Sequence, residues 1–297
     1  MTKNFVFIAS GGRTGTNFFG DQLRECIDDC WSEHEPDMFA GFSELTADRI
    51  RRFGLRHMII DRAAGKNGIR ILGTRYMLGQ LSFDDAAKRL RSERVKYHAD
   101  LEQNLVIESY CRWWMFAGQI RRIFPGSKTV AVVRDPRTWI ASWQSHHPRM
   151  GYVPWSHHFP PGPLTPAKMG DTKNAARWEA IGPVGRLAWH WNVINTTLAD
   201  AAALDDSTRL FKFEDLFGGN EAVLRELVEY CSTFEDRVYD IRSIAPLHQP
   251  KKNASKAESD DWTRWSDTEK ALVNEICGAT MERCGYQPLP LESPIAA

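Results

Sequence analysis

Cysteine pairing is what this chain most plainly lacks. Its six cysteines (Cys26, Cys30, Cys111, Cys231, Cys277, Cys284) are scattered, with no C-x-x-C pair. That spacing frames neither a zinc site nor a disulfide scaffold. Buried free thiols are therefore expected, with Cys26 and Cys30, four apart, on one helix face. No apolar run approaches the roughly 18 residues of a membrane span. No basic segment leading into an apolar core of about 7–15 residues opens the chain, as a secretory leader would. A reducing, cytoplasmic setting is the expectation. Net charge is also missing: 38 Lys plus Arg balance 38 Asp plus Glu. No global field draws the protein to nucleic acid or to a membrane surface, so any anion site has to be local.

What is present is ordinary globular composition, 42% hydrophobic and 26% charged over 297 residues, enough to bury a core without metal or disulfide staples. Two short apolar runs read as buried strands, Phe5 to Ala9 and Thr129 to Val133. Both are bounded by breakers and rich in β-branched or aromatic residues, as in parallel-sheet interiors. Leu105 to Ile107 and Arg209 to Phe213 are further strand candidates, and Gly68 to Gly73 is a fifth. Helix-like stretches lie between them: Asn17–Cys30, Asp84–Tyr97, Trp113–Ile123, Trp189–Ala203, Asn220–Cys231 and Asp267–Cys284. Ser266 and Glu269 make a capping box for the last of these. Strands alternating with helices imply an α/β fold, a three-layer sandwich with a central parallel sheet flanked by helices. Its ligands should bind at the carboxyl ends of the strands. One domain spanning residues 1–297 is expected, carrying a proline- and aromatic-rich insertion over residues 146–185.

Two segments sit where such a ligand would lie. After the first strand come Ser10, Gly11, Gly12, Arg13, Thr14, Gly15, Thr16 and Asn17. Glycines let the backbone wrap an oxyanion, and the free amides and dipole of the following helix favour negative charge. Arg13 adds a fork of donors, and Thr14 and Thr16 add hydroxyls. A plain β–α turn would use the same glycines. The loop is not the ATP/GTP type, because Gly15 is followed by Thr16 rather than Lys. Nor does it have the G-x-G-x-x-G of dinucleotide folds. The second segment, Arg134-Asp135-Pro136-Arg137, ends the Thr129–Val133 strand. Pro136 suits the opening of a helix, and Ser142 lies about two turns into it. Alone, this segment could equally be an ion pair at a turn.

Together the two segments resemble the donor site of the PAPS-dependent sulfotransferases. Arg13-Thr14-Gly15-Thr16 is similar to that family's 5′-phosphosulfate loop. Arg134 with Ser142 is similar to its 3′-phosphate motif. Arg rather than Lys in the loop brings the chain closer to bacterial, carbohydrate and tyrosylprotein members than to the cytosolic small-molecule type. Glu214-Asp215-Leu216 resembles the family's Y-E-D-L segment with Phe213 in place of Tyr, and Ile123-Phe124-Pro125-Gly126 is also family-like.

The resemblance implies a P-loop-like fold, PAPS as sulfuryl donor, PAP as product and no metal. It implies donor contacts from Gly12, Arg13, Thr14, Gly15, Thr16, Asn17, Arg134 and Ser142, with Lys252, Ser255 and Lys256 of a closing C-terminal segment. It also implies a catalytic base about twenty residues after the loop cation. Glu35 is the first candidate, His34 the second and Glu33 the third, with Arg13 stabilising charge. Glu108 is a further carboxylate near the expected cleft. The acceptor would be a hydroxyl or amine, a carbohydrate being one candidate, against Tyr152, Trp155, His157, His158, Phe159 and Trp178. His146-His147 and His157-His158 lack a carboxylate or thiol frame for a metal. Two other readings stay open: a P-loop kinase or NTPase, and an inactive domain that binds 3′-phosphonucleotides.

Overall fold

The computed structural model describes residues 3–38, 41, 43–61, 64–146, 161–248 and 261–291. Five strands form one all-parallel sheet: β1 (Asn4–Ser10), β2 (Cys30–His34), β3 (Leu105–Ser109), β4 (Lys128–Val133) and β5 (Thr208–Lys212), in the order β2-β3-β1-β4-β5. Their side chains alternate between two cores. Val6, Ile8, Ile107, Val130 and Val132 face one layer, with Phe19 and Leu23 of α1 (Thr16–Cys26) and Leu227 of α10 (Glu221–Ser232). Phe7, Ala9, Ala131 and Val133 face the other, with Trp191 of α8 (Gly182–Leu204) and Val273 of α11 (Asp267–Arg283). Strands buried on both faces explain the unbroken apolar runs. The expected three-layer α/β sandwich is what the chain forms, and α11 opens with the Ser266–Glu269 capping box.

The remaining helices are α2 (Glu44–Phe53), α3 (Ile69–Met77), α4 (Phe83–Tyr97), α5 (Ile120–Ile123), α6 (Pro136–His146), α7 (Thr172–Ala176) and α9 (Phe213–Phe217). Three local expectations are corrected. Gly68–Gly73 is not a strand. Gly68 precedes α3, whose Ile69 amide donates to Asp37 Oδ2 at 3.0 Å, a cap supplied from 32 residues away. The first helix stops at Cys26, because Asp29 turns the chain with φ of 52° and Cys30 opens β2. Cys26 and Cys30 therefore share no helix face. Cys111–Gln119 is a 3₁₀ helix that passes into α5. Trp178 packs edge-on against Trp189 and His190 of α8, with ring centroids 5.5 and 6.0 Å away.

Glu108 is also not an open carboxylate. It is fully buried on β3. Arg94 of α4 donates to it at 2.9 Å and Trp113 at 3.2 Å, and His98 Nε2 lies 2.7 Å away. Burial alone would raise its carboxyl, but Arg94 and His98 hold it below the usual range. Arg94 also reaches Asp37 at 3.3 Å. Next to Arg94 lies Glu93, whose Oε1 accepts the Gly68 amide at 3.4 Å. Burial pushes the Glu93 carboxyl up to about 7 despite Arg94.

A carboxyl whose folded pKa is raised loses stability as pH climbs from its unfolded value toward the folded one. Glu93→Gln should therefore raise the melting temperature progressively from about pH 4.5 to 7, with a constant gain above that. Thermal melts at pH 5 and pH 8 check it, and an equal shift at both would count against the assignment.

Candidate nucleotide and transfer site

The site grows from two neighbouring strand ends. β1 and β4 pair in parallel with Ser10 opposite Val132, so the loops that leave them emerge side by side. In the β1–α1 loop, Gly12, Arg13 and Gly15 all adopt left-handed φ, 72°, 57° and 79°. An L side chain is strained there, so Arg13 is held by its surroundings. Ser10 Oγ accepts the Gly12 amide at 3.2 Å and the Thr14 hydroxyl at 2.7 Å. Trp139 of α6 donates its indole N–H to Gly12 O at 2.9 Å. Gly15 is the residue before α1, and no side chain caps that helix. Thr16 is buried at its first position and Asn17 is partly exposed. Thr14 is 1% exposed and turned into the fold, so its position offers a ligand backbone rather than hydroxyl.

From β4, Arg134 donates to Arg13 O at 2.7 Å and to Thr138 Oγ1 at 3.0 Å, with its guanidinium 4.4 Å over the Phe213 ring. Arg13 Nε in turn donates to Ser142 Oγ at 3.2 Å. Three residues singled out from two distant segments thus meet. Burial pulls Arg134 down to about 10 against the attraction of Glu214, and Arg13 adds to the depression. Burial also lowers Arg13.

Among the described residues, neither cation has a carboxylate within 4 Å; the nearby acids are engaged elsewhere. Asp135 pairs with Arg137. Glu214 accepts the Asp135 amide at 2.9 Å and the Tyr286 hydroxyl at 2.8 Å. Two part-buried guanidiniums with no carboxylate in direct contact among the described residues are the kind of arrangement that attracts anions.

β2 brings the candidate base to the same edge. Gly20 lets α1 lie against it: a Cβ there would come 2.5 Å from His34 N. Glu35 follows with φ of 47°, its amide donating to Ser109 O at 3.2 Å. Its Oε1 accepts Cys111 Sγ–H at 3.4 Å, and its Oε2 lies 3.7 Å from His34 Nε2. His34 Nδ1 lies 3.1 Å from Ser109 O. Cys111 in turn borders the loop, since a Cβ on Gly12 would lie 3.9 Å from its Sγ. Glu33, by contrast, is consumed: Arg49 holds one oxygen and Tyr97 the other. Lys252, Ser255 and Lys256, with His147 and residues 148–160, lie outside the described residues.

Cys111, Trp139 and Tyr286 were not anticipated. An isolated Cys, a helical Trp and a Tyr after the last helix carry no motif; only folding sets Cys111 and Trp139 beside Gly12 and Tyr286 against Glu214.

The chain is similar to the sulfotransferase domain from the curacin biosynthetic pathway, at 13% identity and a TM-score of 0.47, over 98% of this chain and 99% of that one. It is similar to the sulfotransferase domain from the Synechococcus PCC 7002 olefin synthase, at 13% identity and a TM-score of 0.45, over 98% and 96%. A sulfotransferase from Alicyclobacillus acidocaldarius matches at 13% identity and a TM-score of 0.44, over 97% of each chain. No family model and no curated protein matches.

The loop geometry has a direct consequence at Gly15, where an added Cβ would come 2.3 Å from the Phe217 ring at a left-handed φ. Gly15→Ala should lower stability by about 1–3 kcal/mol, read from urea unfolding. An unchanged midpoint would mean that the loop is not held in this shape.

Proposed function

We propose that this protein is a sulfotransferase that takes a sulfuryl group from PAPS and passes it to an acceptor hydroxyl or amine. The observation that carries the reading is the meeting of Arg13, Arg134 and Ser142, with no carboxylate against either cation among the described residues. Such a site fits a nucleotide with phosphate at both its 5′ and 3′ positions. Arg13 and the α1 amides would hold the 5′ end, and Arg134 with Ser142 the 3′-phosphate. Gly12, Gly15, Thr14, Thr16 and Asn17 would shape the loop around that 5′ group. Lys252, Ser255 and Lys256 would close over it.

Sulfuryl transfer resembles phosphoryl transfer in needing position, charge stabilisation and a base more than covalent help. Glu35 would take the acceptor proton as the acceptor oxygen bonds to sulfur and the bond from sulfur to the 5′-phosphate oxygen breaks. Arg13 would stabilise the charge left on that oxygen. His34, 3.7 Å from Glu35, would tune that carboxylate or stand in for it. A nucleotide kinase is less well served, because the loop cation precedes Gly15 and no Lys follows it.

Arg13→Ala and Arg134→Ala should each weaken PAP binding about ten- to hundredfold, the loss of about 1.5–3 kcal/mol expected for a charged hydrogen bond. Isothermal calorimetry reads it, and unchanged affinity in both variants would remove the site. Glu35→Gln should leave PAP affinity intact and cut transfer from labelled PAPS by about 10²–10⁴-fold. Full turnover in that variant would move the base to His34.

A further inference from the structure

Resting on that reading, we infer that Arg49 is a positioning residue for Glu35, a clamp that sets the carboxylate without touching substrate. Arg49 sits on the inner face of α2 and is 3% exposed. Its Nε donates to Glu33 Oε1 at 2.8 Å, NH2 to His34 O at 2.7 Å and NH1 to Met38 O at 2.6 Å. These acceptors lie on both sides of Glu35. One planar guanidinium therefore spans the turn and fixes where its ends stand. Tyr97 completes the grip by donating to the other oxygen of Glu33. On the far side of the turn, Asp37 is held by Arg94 and the Ile69 amide.

The turn needs such holding, because Glu35 itself has a left-handed φ of 47°. Unclamped, the backbone would relax toward ordinary φ and swing the carboxylate away from Cys111 and the loop. A displacement of about 1 Å at a reacting group costs up to roughly a hundredfold in rate. Glu35 also leaves a reporter. Burial, and then its negative charge, raise the Cys111 thiol, and Cys111 alone among the six cysteines is part-exposed rather than buried.

Arg49→Lys keeps the charge but cannot reach three acceptors at once, and Glu33→Gln loosens the same grip more gently if the lysine variant fails to fold. In either variant PAP affinity by calorimetry should match the parent protein. Turnover from labelled PAPS should fall, by about ten- to hundredfold for Arg49→Lys and by less for Glu33→Gln. Cys111 should be alkylated by iodoacetamide faster than in the parent, approaching the rate of Glu35→Gln. Added to Glu35→Gln, neither change should have further effect on turnover or labelling, which a general loss of stability would not reproduce. Parental Cys111 labelling in the folded variant, or an equal loss of turnover with and without Glu35, overturns the role of Arg49 while leaving Glu35 as base. Full turnover in Glu35→Gln alone overturns the base, and the role of Arg49 with it.

Discussion

The parallel pairing of β1 with β4 is the constraint on which the site depends. Backbone hydrogen bonds set Ser10 beside Val132, so the residues that follow each strand enter the same space whatever their charge. Here they are Arg13 and Arg134, two cations brought within reach of each other's loop. Like charges in a half-buried setting are costly. Among the described residues no carboxylate in direct contact cancels that cost: Asp135 is committed to Arg137, and Glu214 to the Asp135 amide and Tyr286. The cations are steadied instead by neutral acceptors, Arg13 O, Thr138 and Ser142, and by the face of Phe213. Strain and unpaired charge concentrated at one place are what a preorganised anion site requires.

Charges elsewhere in the same layer are treated in the opposite way. Arg94, Glu108, His98 and Asp37 are buried and tied to one another, and Arg49 is locked to Glu33. Buried ion pairs contribute little net stability, but breaking one leaves a charge stranded. Their consequence here is geometric. They tie α2 and α4 to β3 and to the turn after β2, the turn that carries Glu35. The carboxylates that looked available in the sequence, Glu33 and Glu108, turn out to belong to this framework, whereas Glu35 has one oxygen against Cys111 and the other near His34.

How much could be read beforehand follows from how local each signal is. β1, β3 and β4 declared themselves because a strand buried on both faces needs an apolar run, and the edge strand β5 through Leu210 and Phe211. β2 did not, because its Ser32 is buried yet polar, accepting from the Arg24 amide and donating to Gly20 O. α2 was hidden for a similar reason. Its inward positions are Thr46, Arg49 and Phe53, a helical spacing with a cation where an apolar residue would be looked for. α3 looked like a strand because the cap that starts it comes from Asp37, far away in sequence.

The amino-acid order by itself determined the layered α/β architecture, the glycine loop with its arginine, and Ser142 two turns into a helix after Arg134. Each of these rests on contacts within a few residues or on burial written as composition. Only the tertiary structure decided that Arg134 meets the backbone of Arg13 and Arg13 meets Ser142, that Glu33 and Glu108 are bound up while Glu35 contacts Cys111 and His34, and that Tyr286 engages Glu214. Those outcomes depend on which strand lies next to which and on which buried charge finds a partner, and neither is encoded by any short stretch of chain.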